Sequence, residues 1–218
     1  MANDTLRAEV VAELSWDPKV DGTDITVSVE GGRVTLHGSV TRFRQKRAAE
    51  YAARRVHGVT AISNFLEVHI PDPDRRADAD VRADVGQALA LNDRIPATVQ
   101  ASVEAGLVTL SGDAAWQFQR DEAELACAAV PGVVGVDVAI SLRPAPADGD
   151  GDIEHAISAA FARSARLDRF EIAVDSPFPG MVVLSGTVDC WAERDDAVAL
   201  AWSAPGLTDI DDRISVIY

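Results

Sequence analysis

The sequence predicts an α+β chain made of three tandem copies of one helix–strand–strand–helix–strand unit. Three observations predict it. The strand-and-glycine stretch Val34-Thr35-Leu36-His37-Gly38 returns as Val108-Thr109-Leu110-Ser111-Gly112 and as Val182-Val183-Leu184-Ser185-Gly186, with starts 74 residues apart each time. A second anchor, Gly58-Val59, keeps the same 74-residue spacing in Gly132-Val133 and Gly206-Leu207. Between the anchors, the apolar residues switch between helical and strand periods in the same order in each copy. The chain therefore divides into domains at residues 1–70, 81–142 and 153–218, joined by linkers at 71–80 and 143–152. Units this small bury only about 60% of their unfolded surface, so each has a modest core.

In the first copy, Leu6, Val10, Val11 and Leu14 fall on one helical face, with Asp4 as the expected N-cap and a stop before Trp16-Asp17-Pro18. Ile25, Val27 and Val29 then alternate with Thr26 and Ser28, the period of a half-buried strand. Glu30-Gly31-Gly32 makes the turn, and Val34 and Leu36 continue the alternation on the return strand. A second helix is expected over about Arg42 to His57, with Ala49, Ala52, Ala53 and Val56 on its apolar stripe and Gly58 as a left-handed C-cap. A last strand carries Leu66, Val68 and Ile70.

The second copy repeats the order after the polar, proline-marked segment 71–80. Val81, Val85 and Leu89 mark its first helix, Val99, Ala101, Val103, Val108 and Leu110 its hairpin, and Ile140 and Leu142 its last strand. Its second-helix stripe, Ala123, Ala126, Cys127 and Val130, stands 74 residues after that of the first copy. Cys127 is thus expected to be a packing residue. In the third copy, Ile153, Ile157 and Phe161 mark the first helix and Phe170, Ile172 and Val174 the first strand. A hairpin loop about three residues longer follows at Asp175–Gly180. Ala197, Leu200, Ala201 and Ala204 form the stripe, and Ile214 and Val216 lie on the closing strand.

Composition narrows the function classes. With 47% apolar and 25% charged residues, this is the make-up of a soluble globular protein. No run of apolar residues is long enough for a transmembrane helix. The first ten residues lack the basic start and apolar core of a signal peptide, and the two cysteines lie in different copies, so a reduced, cytoplasmic setting is expected. The net charge of −15 is uneven, at −2 for residues 1–74, −5 for 75–149 and −8 for 150–218. That acidity argues against nonspecific nucleic-acid binding. Gly132-Val133-Val134-Gly135 does spell the G-x-x-G of some RNA-binding modules, but without a basic residue and between a helix and a strand.

A strand reading V-T-L-x-G, an alanine-rich charged helix, then G-V and a closing strand resembles the BON domain, the bacterial OsmY and nodulation module. The residues that carry the resemblance in the first copy are Val34–Gly38, Ala48-Ala49, Gly58-Val59 and Leu66-Glu67-Val68. Three copies cover nearly the whole chain outside the linkers. The resemblance implies two helices on one face of a small three-stranded mixed sheet in each copy. It also implies a non-enzymatic module associated with phospholipid binding, envelope integrity, osmotic stress and, in some members, chaperone-like activity. Many BON proteins are exported and carry two copies, whereas this chain has three.

No nucleophile–base pairing, metal-ligand cluster or cofactor motif stands out, so neither metal nor cofactor is expected. His37, His69 and Glu67 share the outer strand faces of the first copy without ligand spacing, and Asp148–Asp152 lacks the glycine and closing glutamate of a calcium loop. The most basic stretch is the second helix of the first copy, where Arg42, Arg44, Lys46, Arg47, Arg54 and Arg55 stand against Glu50. At 100° per residue, Arg44, Arg47, Arg54 and Arg55 fall opposite the alanine stripe, with Phe43 beside them as an apolar anchor. These five residues are the expected contacts for an anionic lipid, a membrane surface or another phosphate-bearing ligand. The other copies differ at the outer positions, where Phe118 and Leu125 in the second and Trp202 in the third leave apolar faces to bury. With Trp116 and Trp191 near the helix starts, these residues are expected at contacts between repeats 2 and 3, with a protein partner or in a homo-oligomer, the alternative being a hydrophobic ligand or membrane surface.

Overall fold

The computed structural model describes residues 2–143 and 153–218. Repeat 1 runs α1 (Ala2–Trp16), β1 (Ile25–Glu30), β2 (Arg33–Val40), α2 (Phe43–Arg54) and β3 (Ala61–Val68). Repeat 2 runs α3 (Asp78–Ala90), β4 (Gln100–Glu104), β5 (Leu107–Ala114), α4 (Gln117–Ala128) and β6 (Gly135–Leu142). Repeat 3 runs α5 (Ile153–Arg163), β7 (Ala173–Phe178), β8 (Met181–Val188), α6 (Trp191–Ala201) and β9 (Asp209–Val216). Repeats 1 and 2 fall in one compact unit, apart from residues 113–119 and the end of β6, which group with repeat 3 in a second.

Each sheet has three strands, with the V-T-L-x-G strand in the middle. β2 is antiparallel to β1 and parallel to β3, and β8 is likewise antiparallel to β7 and parallel to β9. The alternation on the central strand decides the core. Val34, Leu36, Val108, Leu110, Val182 and Leu184 are all fully buried. Each buried Val or Leu side chain stabilises its repeat by about 1.5–3 kcal/mol. In repeat 1 they share one cluster with Val10 and Leu14 of α1 and with Ala49, Ala52 and Ala53 of α2. Both helices therefore pack on the same face of the sheet. The alanines of α2 are small enough to bring that helix against the strands.

The recurring glycine of the central strand has a steric cause. Gly38, Gly112 and Gly186 hold φ of +118°, +118° and +149°. A Cβ there would lie 1.9 Å from the Asp24 carbonyl oxygen, 2.2 Å from that of Thr98 and 2.7 Å from that of Glu171. No side chain fits where the incoming backbone crosses the strand.

The structure departs from sequence expectation at several boundaries. α1 starts at Ala2 and includes Trp16, so Asp4 sits in its first turn and does not cap it. Asp78, at the equivalent place in repeat 2, instead accepts hydrogen bonds from the hairpin-turn N–H groups of Ala105 (2.8 Å) and Gly106 (3.0 Å). Val11 is 46% exposed and leaves the core face to Val10 and Leu14. α2 ends at Arg54, because the next N–H groups, of Arg55 and Val56, bond back three residues to Ala52 and Ala53 and tighten the chain. Gly58, with φ of +91°, serves the turn beyond and not the helix cap.

In repeat 3, Phe170 and Ile172 precede the first strand, which begins at Ala173, yet both pack on the core. Its hairpin is no longer a long loop. β7 extends to Phe178, which pairs with Met181, and the ladder shifts between Asp175 and Phe178. Pro177 sits in that irregular stretch and has no N–H to give a regular ladder. Linker 71–80 contains a short turn of 3-10 helix at Asp72–Asp74, and α3 already begins at Asp78. Most of the second linker, with the acidic run Asp148–Asp152, lies outside the described residues.

Candidate anion-binding face of the first repeat

The start of α2 is set by a side chain three residues into the helix. The Gln45 Oε1 accepts hydrogen bonds from the Thr41 N–H (3.1 Å) and the Thr41 hydroxyl (3.0 Å). The same device recurs in each repeat. Gln119 Oε1 accepts from Ala115 and Trp116 N–H, and Glu193 Oε2 accepts from Asp189 and Cys190 N–H. These acceptors serve the chain before the helix. In repeat 1 no side chain caps α2; the Gln45 N–H donates to the Arg42 carbonyl (3.0 Å), and the N–H groups of Phe43 and Arg44 stay open.

Phe43 is half-buried at the first position of α2, and Arg44 beside it is exposed. Both line a groove of about 400 Å³ whose other walls come from Arg42, from Ile70, from residues 73–76 and from the end of α4 and the turn after it. Arg42 and Arg44 make no ion pair among the described residues. The remaining predicted arginines are engaged. Arg47 pairs with Glu124 of α4 at 2.7 Å, both about a quarter exposed, and ties repeat 1 to repeat 2. Phe43, Arg47 and Glu124 also line a second cavity of about 270 Å³. Arg54 pairs with Glu50 at 2.6 Å and lies over the Tyr51 ring. Arg55 reaches α1, pairing with Glu13 (2.8 Å) and with Asp17 just beyond its end (2.9 Å). A hydrogen bond from the Lys19 N–H and the Arg55 guanidinium hold the Asp17 carboxyl below its ordinary range, against the effect of burial. Asp17 in turn raises the Arg55 pKa, with help from Glu13.

The predicted interface residues divide. Trp116, Phe118 and Leu125 are 38%, 50% and 59% exposed. Trp191 is a buried member of the core of repeat 3, with the Arg194 guanidinium over its ring. Trp202 is half-buried against the same core at the end of α6. His37 stacks on Phe65 at 5.3 Å between ring centroids, on the sheet face away from the helices. Burial pushes the Cys127 thiol up to about 12, so it is a packing group and not a nucleophile. No helix among the described residues is long and apolar enough to cross a membrane. Sequence reading missed Arg42, Arg75 and Arg76 as site residues. The adjacent pair Arg75-Arg76 in a linker was the available signal, but the fold alone shows that the pair faces the start of α2.

Three α-β-β-α-β units, each with its V-T-L-x-G strand at the centre, define a tandem-repeat protein of small modules. The family model described as "BON domain" matches residues 2–69, 77–144 and 149–218. The chain belongs to the BON domain family. It is 32% identical over 143 residues to the Osmotically-inducible protein Y of Escherichia coli (strain K12), covering 62% of this chain and 70% of that one. Among solved structures it is similar to CdsD, a structural protein of the Type III secretion system of Chlamydia trachomatis, at 14% identity and a TM-score of 0.25, covering 98% of this chain and 92% of that one. It is also similar to the PrgH periplasmic domain, at 10% identity and a TM-score of 0.23, covering 90% and 97%. Likenesses this distant say nothing about function.

Proposed function

We propose that this is a non-enzymatic, stress-related binding protein that engages anionic phospholipid, or another phosphate-bearing group, through the basic α2 of repeat 1. The observation that carries the reading is the pair Arg42 and Arg44, which make no ion pair among the described residues and stand beside Phe43. A basic residue near an anionic leaflet contributes about 1 kcal/mol. Arg42, Arg44 and Lys46 together supply about 3 kcal/mol on that scale, weak binding that insertion of Phe43 would strengthen. Arg47, Arg54 and Arg55 share the helix, but their ion pairs offset part of their charge. The stress role is supported by the relative named for osmotic induction. Two cysteines outside any disulfide support a cytoplasmic setting.

The exposed rings and leucine at Trp116, Phe118 and Leu125 favour a second reading, a scaffold or chaperone-like protein that binds a protein partner or a second copy. Salt separates the two. Co-flotation with anionic vesicles that falls from low to physiological salt, and is absent with zwitterionic vesicles, is the result expected for lipid. Salt-insensitive binding to a protein, lost in Phe118→Ser with the fold intact, would favour the partner.

A further inference from the structure

We infer that the groove between repeats 1 and 2 is a clamp for a phosphate ester, closed by arginines from repeat 1 and from the linker that follows it. It rests on the basic-helix reading, with which it shares Arg42, Arg44 and Phe43. Four arginines line the groove, Arg42 and Arg44 from the start of α2 and Arg75 and Arg76 from the segment before α3, with Asp74 in the lining and Asp72 and Asp84 paired to Arg75 and Arg76. This is a local excess of positive charge in a chain of net charge −15. The four are not equivalent. Arg76 is held by Asp84 at 2.6 Å and contacts the Pro131 carbonyl, so its head is placed in advance, whereas Arg75 makes a solvent-exposed pair with Asp72 at 3.2 Å. Arg42 and Arg44 have no such tether among the described residues and are left to close on a ligand.

The twelve-residue α2 adds its own field. Its first N–H groups carry no side-chain cap, and its positive end opens beside the four guanidiniums. Phe43 and Ile70 give the groove an apolar side. Planar, multiply donating guanidiniums and open backbone N–H groups suit a phosphate, and the apolar side suits the carbon group it esterifies. At about 400 Å³ the groove has the volume of a small-molecule site. The other copies lack the pattern. The positions 74 and 148 residues after Arg42 and Arg44 hold Trp116 and Phe118, then Cys190 and Ala192.

The test is calorimetric titration of the full chain with phenyl phosphate and with inorganic phosphate, at constant ionic strength. Wild type is compared with Arg42→Gln and Arg75→Gln, and anionic-vesicle flotation is run on the same three proteins. Arg75 is a safe variant because its partner Asp72 is 89% exposed, and unchanged melting temperatures would confirm the fold. Saturable binding of phenyl phosphate, tighter than inorganic phosphate and about tenfold weaker in each variant, is expected. Silent titrations with flotation that Arg75→Gln weakens would support the clamp and make its ligand a lipid headgroup. Silent titrations with flotation that Arg75→Gln leaves unchanged would overturn the clamp and leave the basic-helix reading standing. Loss of both signals in the wild type would overturn both.

Discussion

Ala105 occupies the hairpin-turn position that glycine fills in repeat 1, and it holds φ of +48°. An L-residue there is strained, so Ala105→Gly is expected to stabilise repeat 2 by about 0.5–1 kcal/mol, measured as a rise in denaturant midpoint. Glu193 is a second residue with a measurable signature. Burial pushes its carboxyl up, but Arg169, the Cys190 side chain and the Asp189 N–H outweigh burial and hold it below its ordinary 4.5. A carboxyl lowered in the folded state stabilises fully above its unfolded pKa, and that contribution is lost as pH falls through the folded value. The melting-temperature advantage of wild type over Glu193→Gln should therefore be full near neutrality and shrink as pH drops below about 4.5. An advantage that persists at lower pH would show that the contacts of Glu193 do not depend on its charge. At this scale the sequence was legible where one position recurs. The glycines at 38, 112 and 186 were visible as a repeat, and the structure supplies their cause in a carbonyl that leaves no room for Cβ.

Among the elements, α2 carries the contacts that reach beyond its own repeat. The Arg47–Glu124 pair joins it to α4 across a partly exposed surface. A double-mutant cycle with Arg47→Ala and Glu124→Ala should give a coupling of about 0.5–1 kcal/mol that declines as salt rises. A coupling of zero would mean the two helices are held by packing alone. The pair also makes charge reversal at Arg47 a poor probe of ligand binding, since it breaks a contact between repeats. The periodicities placed the elements because buried side chains must follow the helix or strand repeat. They failed where hydrogen bonding or loop packing decides. Val20, Ile95 and Leu167 are core residues in the connections between first helix and first strand, where no period marks them. The early stop of α2 depends on backbone bonds, and the extended hairpin of repeat 3 on a proline inside a strand.

For the whole molecule, three copies of one fold carry three different outer faces, and the charge follows suit. Repeat 1 is near neutral and the later sequence increasingly acidic. The basic helix was readable as a run of arginines, but its division into paired and unpaired charges was not, because Glu124, Glu13 and Asp17 come from other elements. The facing pair Arg75-Arg76 was hidden for the same reason. The most direct test of anion recognition by α2 compares anionic-vesicle co-flotation of Arg44→Glu with that of Arg213→Glu. Both changes make the chain more acidic by the same amount, and Arg213 is an exposed residue of β9 in repeat 3, paired with Asp211. Binding about 30-fold weaker in Arg44→Glu and unchanged in Arg213→Glu is expected. Equal losses in the two variants, or none in either, would contradict recognition at the start of α2.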